Sequence, residues 1–550
     1  MRSLTEPPGL KNSSLAIIWQ GRPRVRRLSL TIGVLPMVPR ISSWTCIEWK
    51  CKNLDSKNTI AAEGRPKRFV RYNHRVLRAL SQAPAARRQV HRPGGRMPEK
   101  ALEYAHANRE SALDDLKSIL RIPSISTLSE HETDMLAAAE WLVDQLNQLG
   151  FHGRAIEAGG APVVYGDWLG AGSKAPVVLV YGHYDVQPTD PLELWDSDPF
   201  EPEVRGDNLY ARGASDMKGQ LVAHLNAIRA LKETTGLPIN IKYLIEGEEE
   251  IGSKHLGNFI DANGDLLACD FCLNIDSGII GPETPSITYA LRGLTYFEIR
   301  LEGPPGDLHS GTFGGAVVNP ANVLASLIGK MHDPQGRVAL PEFYDDVREL
   351  SEEERSDFAD LPQSDQWWRQ QSGASVLGGE QGYTATERAT ARPTLDVNGL
   401  LSGFTGEGGK TVLPSRAMAK ISMRLVPDQE PDKVHESLLA FMREQAPPGV
   451  SWEVEMLTGS VASVMDRESF EAGAALDALE AVWGVPARFK REGGSVPVVG
   501  MIKDMLDVKT LLLGFGLPDD NLHAPNEKFH LPNFHRGIDT YIHFMSSLAP

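Results

Sequence analysis

Three short stretches carry residues that could do chemistry: Gly182-His183-Tyr184-Asp185, Ser215-Asp216-Met217-Lys218-Gly219 and Glu246-Gly247-Glu248-Glu249-Glu250. Asp276 and His523 are further donors of the same kinds. Together His183, Asp216, Glu250, Asp276 and His523 supply two imidazoles and three carboxylates, a set able to hold two divalent cations with a water between them. Such a pair makes hydroxide available at neutral pH, and hydroxide cleaves amides. Three carboxylates and one hydroxide balance the four positive charges of two dications, which lowers the cost of burying the site. Histidine and carboxylate ligands suit zinc, and also manganese or cobalt. Glu249 and Glu250 are neighbours, and on an extended turn they point in different directions. One can bind metal while the other exchanges a proton with the water and the leaving amine. Asp185, two residues beyond His183, is placed to orient a ligand imidazole.

The elements around these stretches must bring them together. Apolar positions recur at helical spacing from Ala101 to Leu120, and again from Glu132 to Leu149 before Gly150. Strands are expected at Pro176–Tyr181, Ile239–Ile245 and Phe271–Ile275, with helices at Lys218–Leu231 and Ile251–Ile260. This alternation describes a mainly parallel sheet with helices on both faces. The acidic stretches then fall at the carboxyl ends of strands, where open α/β sheets form their crevices. After Gly293 the pattern changes. Thr295–Leu301 and Ala417–Val426 alternate polar and apolar residues, Asn319–Met331 and Asp432–Gln445 read as helices, and Ser451–Met456 reads as a strand. Residues 332–395 read as acidic loop. A small sheet with helices on one side is expected here, inserted into the first domain. Helix Phe470–Val482 and strand Lys509–Phe515 resume the first domain.

Composition narrows the classes further. Residues 1–96 hold 20 Lys and Arg against 4 Asp and Glu, although the whole chain carries a net charge of -16. This basic extension, expected to lack a fold, fits a transit peptide, a solvated tail or translation upstream of a start at Met97. A basic count alone does not make it a nucleic-acid arm, and no nucleic-acid partner is expected. No stretch supplies about 18 consecutive apolar residues, so no membrane span is expected and the cytoplasm is the expected location. Cys269 and Cys272 have C-x-x-C spacing, but on a strand such residues face opposite sides, which favours small core thiols over a redox or zinc pair. No G-x-S-x-G lies at a strand-to-helix turn, which disfavours a serine hydrolase.

Three motifs resemble the dinuclear metallopeptidases that include carnosinase-type dipeptidases, glutamate carboxypeptidase, aminoacylase and succinyl-diaminopimelate desuccinylase. They are Gly182-His183-Tyr184-Asp185-Val186-Gln187-Pro188, Arg212-Gly213-Ala214-Ser215-Asp216-Met217-Lys218-Gly219 and Glu246-Gly247-Glu248-Glu249-Glu250-Ile251-Gly252-Ser253. Trp195–Phe200 and Asn521–Lys528 add support. The resemblance covers about residues 100–550. It implies that His183 and Asp276 bind one metal, Glu250 and His523 the other, and that Asp216 bridges them. It also implies Glu249 as general base and Asp185 as orienting acid. Domain roles follow: residues 97–291 and 464–550 form the catalytic domain, and residues 292–463 a lid and dimerisation domain.

The dipeptidase branch is the nearest likeness. His309, in Gly306-Asp307-Leu308-His309-Ser310-Gly311, resembles a loop histidine that reaches the partner subunit's site, which implies a homodimer. Thr411, Arg424, Gly494 and Ser495 lie in stretches similar to substrate contacts. Arg424 shares a strand face with Ser422 while Ile421, Met423 and Leu425 share the other, so Arg424 can meet a substrate carboxylate. The expected activity is hydrolysis of a dipeptide or short peptide by a hydroxide bridging two divalent cations, zinc first among them. Deacylation of an N-acyl amino acid or desuccinylation is the alternative within the family, and a non-catalytic binding protein the alternative outside it.

Overall fold

The computed structural model describes residues 98–494 and 496–549; the basic extension over residues 1–96 and the candidate Ser495 lie outside them. The first helical stretch is two helices, α1 (Glu99–Ala107) and α2 (Arg109–Leu120). They part at Asn108, whose side-chain amide donates to the Tyr104 carbonyl at 2.8 Å and competes with the helical ladder. α3 (Glu132–Gln148) stops ahead of Gly150, whose φ of 72° costs glycine nothing.

β1 (Arg154–Ile156), β2 (Val163–Trp168) and β3 (Val177–His183) precede α4 (Lys218–Thr234), β4 (Asn240–Glu246), α5 (Leu256–Ala262), β5 (Phe271–Asn274) and β6 (Ser286–Leu291). A second sheet follows, made of β7 (Gly293–Glu302), β8 (Thr394–Ser402), β9 (Arg416–Leu425) and β10 (Ser451–Ser460), with α6 (Pro320–Lys330) and α7 (Pro431–Gln445) among them. The chain returns through β11 (Ser463–Val464), α8 (Phe470–Trp483), β12 (Arg488–Glu492), α9 (Pro497–Leu506), β13 (Thr510–Leu512) and α10 (Leu531–Ser547).

The first sheet has the order β1-β2-β4-β3-β5-β13-β6-β11, with β12 also on β6. Its centre, from β4 through β3 and β5 to β13, is parallel. β3 is apolar throughout because both of its faces are covered. Val178 and Val180 join the core built with α2, α3, α4, α8 and α10, while Leu179 and Tyr181 join the core built with α5 and α9. The second sheet, ordered β8-β9-β7-β10, is antiparallel. One face packs Phe297, Ile299, Leu301, Ile421 and Met423 against Leu324 of α6 and Leu438 of α7. The molecule is therefore α/β, with a mainly parallel central sheet and an inserted α+β segment.

Several elements depart from the sequence reading. β3 continues past Tyr181, so His183 is its last residue. The helix expected from Ile251 begins only at Leu256, because Gly252 and Ser253 adopt left-handed φ values of 86° and 50°. Glu249 and Glu250 lie on a 3-10 turn, Glu249–Ile251, and not on an extended one. β8 is absent from the sequence reading because its register shifts between Val397 and Gly399, which removes the alternation. Residues 332–395 hold short helices at Glu352–Ala359, Asp365–Ser372 and Ala385–Ala391. Two of them start at capping boxes, Ser351 with Glu354 and Thr384 with Glu387, a local signal that apolar periodicity does not register. Of the C-x-x-C cysteines, only Cys272 lies within β5, and both are free thiols.

Candidate metal centre

The parallel strands β3, β4 and β5 deliver His183, the Glu249–Glu250 turn and Asp276 to one sheet edge. Asp216 arrives from the loop that enters α4, and His523 from the loop after β13. His523 has a φ of 58°, so its backbone is held in the left-handed region that few non-glycine residues occupy. The five side chains meet. His183 Nε2 lies 3.1 Å from Asp216 Oδ1 and 3.8 Å from Asp276 Oδ2. His523 Nε2 lies 3.0 Å from Asp216 Oδ2 and 3.2 Å from Glu250 Oε2. Two donor groups result, His183–Asp216–Asp276 and Asp216–Glu250–His523, each with ligand atoms within 4.8 Å of one another. They share Asp216, whose Oδ1 faces His183 and whose Oδ2 faces His523.

The surrounding residues set these side chains. His183 Nδ1 faces Asp185, 3.1 Å from its carbonyl and 3.3 Å from Oδ1. The Asp185 carboxylate accepts the backbone N–H groups of Glu249 and Glu250 at 3.3 and 3.0 Å. It thus orients the imidazole and fixes the acidic turn together. Glu250 Oε2 accepts from Gln187 Nε2 at 2.8 Å. No described residue hydrogen-bonds the Glu249 carboxylate.

The electrostatics are those of crowded acids. Burial, reinforced by Glu250, Asp216 and Asp185, pushes the Glu249 carboxyl up to about 7 against the pull of His183. Burial and the neighbouring Asp216 raise Asp276 well above the carboxylate range. Burial also works against the Asp216 charge, but hydrogen bonds from His183 and His523 outweigh it and hold that carboxyl low. The bonds to Asp216 and Glu250 lift His523 to about 10. Five lone-pair donors a few ångströms apart repel unless positive charge sits between them. In this donor set only the two imidazoles can supply it, as bound protons. Two divalent cations relieve the same crowding without protons, so the residues fit such a pair.

A protein-family comparison matches residues 179–547 to the model of peptidase family M20/M25/M40. The chain belongs to that family. It is 32% identical to a Cys-Gly metallodipeptidase of Schizosaccharomyces pombe over 485 residues, 82% of this chain and 99% of the relative. Among solved structures, the M20 family metallo-carboxypeptidase Sso-CP2 from Sulfolobus solfataricus aligns with a TM-score of 0.71 and 33% identity, covering 80% of this chain and 99% of that one. Human carnosine dipeptidase 1 aligns with a TM-score of 0.69 and 28% identity, covering 83% and 100%. This M20-family chain is therefore a metallopeptidase, and divalent cations are its cofactor class.

The other expected site residues lie on other elements. His309 lies on a two-stranded ribbon, paired with Val412, and Thr411 directly precedes the ribbon's second strand, its carbonyl accepting the Ser310 N–H. Among the described residues, the His309 side chain hydrogen-bonds Gly311 and Thr312 and none of the donors. Arg424 lies on β9 on the face opposite the buried Ile421, Met423 and Leu425, as expected. Gly494 is an exposed turn residue after β12. A chain of side-chain bonds joins this turn to the Asp276 loop: Ser277 Oγ meets Thr288 Oγ1 at 3.2 Å, which donates to Glu492 Oε2 at 3.2 Å.

Several residues of consequence received no role from sequence. Gln187, Arg212 and Glu527 sit inside quoted motifs, but only contacts across the fold reveal their partners. Arg292, beside the strand pattern change, donates through Nε to the Gly493 carbonyl at 3.0 Å. Burial and the nearby Arg424 lower its pKa to about 10, which marks two guanidinium groups close together.

The His523 shift predicts a pH dependence for chelator-treated protein. A histidine with a raised folded pKa contributes stability that is fully present below about pH 6.5 and lost as the pH rises through about 10. The melting temperature of the metal-free protein should fall across that window, and His523→Ala should flatten the fall. Parallel melting curves for the two proteins at about pH 6, 8 and 10 would contradict the assignment.

Proposed function

We propose that this chain hydrolyses dipeptides and other short peptides at a two-cation centre. His183 and Asp276 would hold one cation and Glu250 and His523 the other, with Asp216 belonging to both donor groups. The observation that carries this reading is the pair of donor groups sharing Asp216, with the half-buried Glu249 beside them, its carboxylate hydrogen-bonded by no described residue. The histidine and carboxylate donors make zinc our choice of metal, with manganese and cobalt able to use the same ligands. When bound there, two such cations polarise the scissile carbonyl and make water reactive near neutral pH.

The chain's own residues handle the proton and the substrate. Glu249 takes a proton from the attacking water and gives it to the leaving amine nitrogen. A carboxylate that no described residue hydrogen-bonds is free to make both transfers. Asp185 keeps the His183 ring turned with Nε2 toward the centre. Arg424 pairs with the terminal carboxylate of the peptide, and the neighbouring Arg292 adds positive potential there. Thr411, Gly494 and Ser495 line the same substrate. His309 accepts the Gly311 N–H on Nδ1 at 3.0 Å, so its neutral ring carries the proton on Nε2 and can donate to the substrate carbonyl.

We assign a homodimer in which His309 of each subunit serves the other's site. The edge strand β8 supports this, since Val397, Leu400 and Leu401 are 42%, 61% and 56% exposed along it. The segment over residues 292–463 acts as lid and dimerisation domain, closing over the peptide. We place the enzyme in the cytoplasm, in keeping with the free thiols of Cys269 and Cys272. The names of the relatives, a Cys-Gly metallodipeptidase and a carnosine dipeptidase, support a dipeptide over an N-acyl amino acid.

A panel of dipeptides set against N-acetyl and N-succinyl amino acids tests the substrate class, and turnover of the acyl compounds alone would assign a deacylase. Glu249→Gln should keep the bound metal, measured by elemental analysis, yet lose about 10²–10⁴-fold in kcat. Undiminished turnover removes Glu249 from the reaction. Arg424→Met should raise KM about 10–100-fold for a dipeptide, the equivalent of about 1.5–3 kcal/mol for a charged hydrogen bond. The same change should leave KM for the C-terminal amide of that dipeptide nearly unaltered, and equal losses on both substrates would contradict the role.

A further inference from the structure

The donor loops come from distant parts of the chain, and a buried ion pair lies at their junction. Arg212 is 1% exposed and Glu527 0%. Arg212 Nη1 donates to Glu527 Oε2 at 2.7 Å. Three backbone amides converge on the same carboxylate: Gly213 N on Oε2 at 2.9 Å, and Ser215 N and Asp216 N on Oε1 at 3.0 and 3.1 Å. Each carboxylate oxygen therefore accepts two hydrogen bonds. The second arm of the guanidinium reaches further, with Nη2 donating to the Pro188 carbonyl at 3.0 Å and the Ala524 carbonyl at 3.4 Å.

These partners place the pair among three donor loops. Pro188 belongs to the loop that follows His183, Asp216 is held by its own amide, and Ala524 adjoins His523. Simple fastening of the loops is already supplied elsewhere. The Asp520 carboxylate accepts from Ser215 Oγ at 2.7 Å and from Lys528 Nζ at 2.8 Å. What the Glu527 carboxylate adds is a grip on the backbone of Asp216 itself.

We propose that Arg212 and Glu527 are positioning residues that set both cation subsites at once, acting through Asp216, His183 and His523. The inference rests on the two-cation reading above. Glu527→Gln is the sharpest probe because it preserves volume. Whichever way the new amide turns, its NH2 replaces an oxygen that accepts two N–H donors, so either the Asp216 amide or the Arg212 guanidinium must give way. A buried group that orients metal ligands is typically worth about 10–100-fold in metal affinity.

The experiment titrates Co2+ into chelator-stripped protein, following visible absorption against a competing chelator, with melting curves of the stripped proteins alongside. Glu527→Gln should bind Co2+ about 10–100-fold more weakly than the unaltered chain and give a changed absorption band. Lys528→Met, which removes the Nζ bond to Asp520 and leaves the Ser215 bond to it in place, should lower the melting temperature while leaving Co2+ affinity within about threefold. Wild-type affinity and spectrum in Glu527→Gln would overturn the proposal even if that variant melts early. So would an equal loss of affinity in Lys528→Met. Should Glu527→Gln fail to fold, Arg212→Lys decides: it keeps the charge but loses the second arm to Pro188 and Ala524. Weakened Co2+ binding there supports the proposal, and unaltered binding overturns it. If the unaltered chain takes up no Co2+, the two-cation reading itself falls.

Discussion

Negative charge gathered around Asp216 is the constraint that the rest of the structure answers to. Asp185, Asp216, Glu249, Glu250 and Asp276 meet at one edge of a sheet whose faces are both covered by helices. Water screens such a place poorly, and carboxylates brought together there must share protons or cations. The opposite behaviour of two neighbours follows. Asp216, bonded to both imidazoles, stays ionised, while Glu249, with no described bond to its carboxylate, is driven toward neutrality. In the cation-free site the raised Glu249 carboxyl is a consequence of that crowding and needs no separate device.

The parallel centre of the sheet explains how donors so distant in sequence come together. Parallel strands end on the same side, so β3, β4 and β5 deliver His183, the acidic turn and Asp276 side by side. The remaining donors arrive on loops, where position is less well determined by a ladder of hydrogen bonds. Asp216 is held from behind by the buried Arg212–Glu527 pair, while Asp185 and Gln187 fix the acidic turn at the end of β4. The second sheet contributes differently. Its β9 presents Arg424 on an open face, and hydrogen bonds through Thr288 and Glu492 connect the nearby glycine turn to the Asp276 loop.

Much of this was legible in the sequence because chemistry and periodicity coincided. The run before His183 reads as a doubly covered strand, and β3 is one. The alternation of Ile421, Met423 and Leu425 with Ser422 and Arg424 survives unchanged in β9. What escaped depends on geometry that periodicity does not encode. β8 loses its alternation at a register shift, and the helix after Glu250 starts late because two left-handed residues intervene. Gln187 and Glu527 stood in view within recognisable motifs. Their roles emerge only when Gln187 meets Glu250 and Glu527 meets the Asp216 amide across the fold.

Anomalous diffraction from crystals soaked in Mn2+ or Zn2+ tests the central claim most directly. Two peaks are expected, one between His183 and Asp276 and one between Glu250 and His523, with Asp216 touching both. A single peak, or peaks that leave Asp216 uncoordinated, would contradict the account.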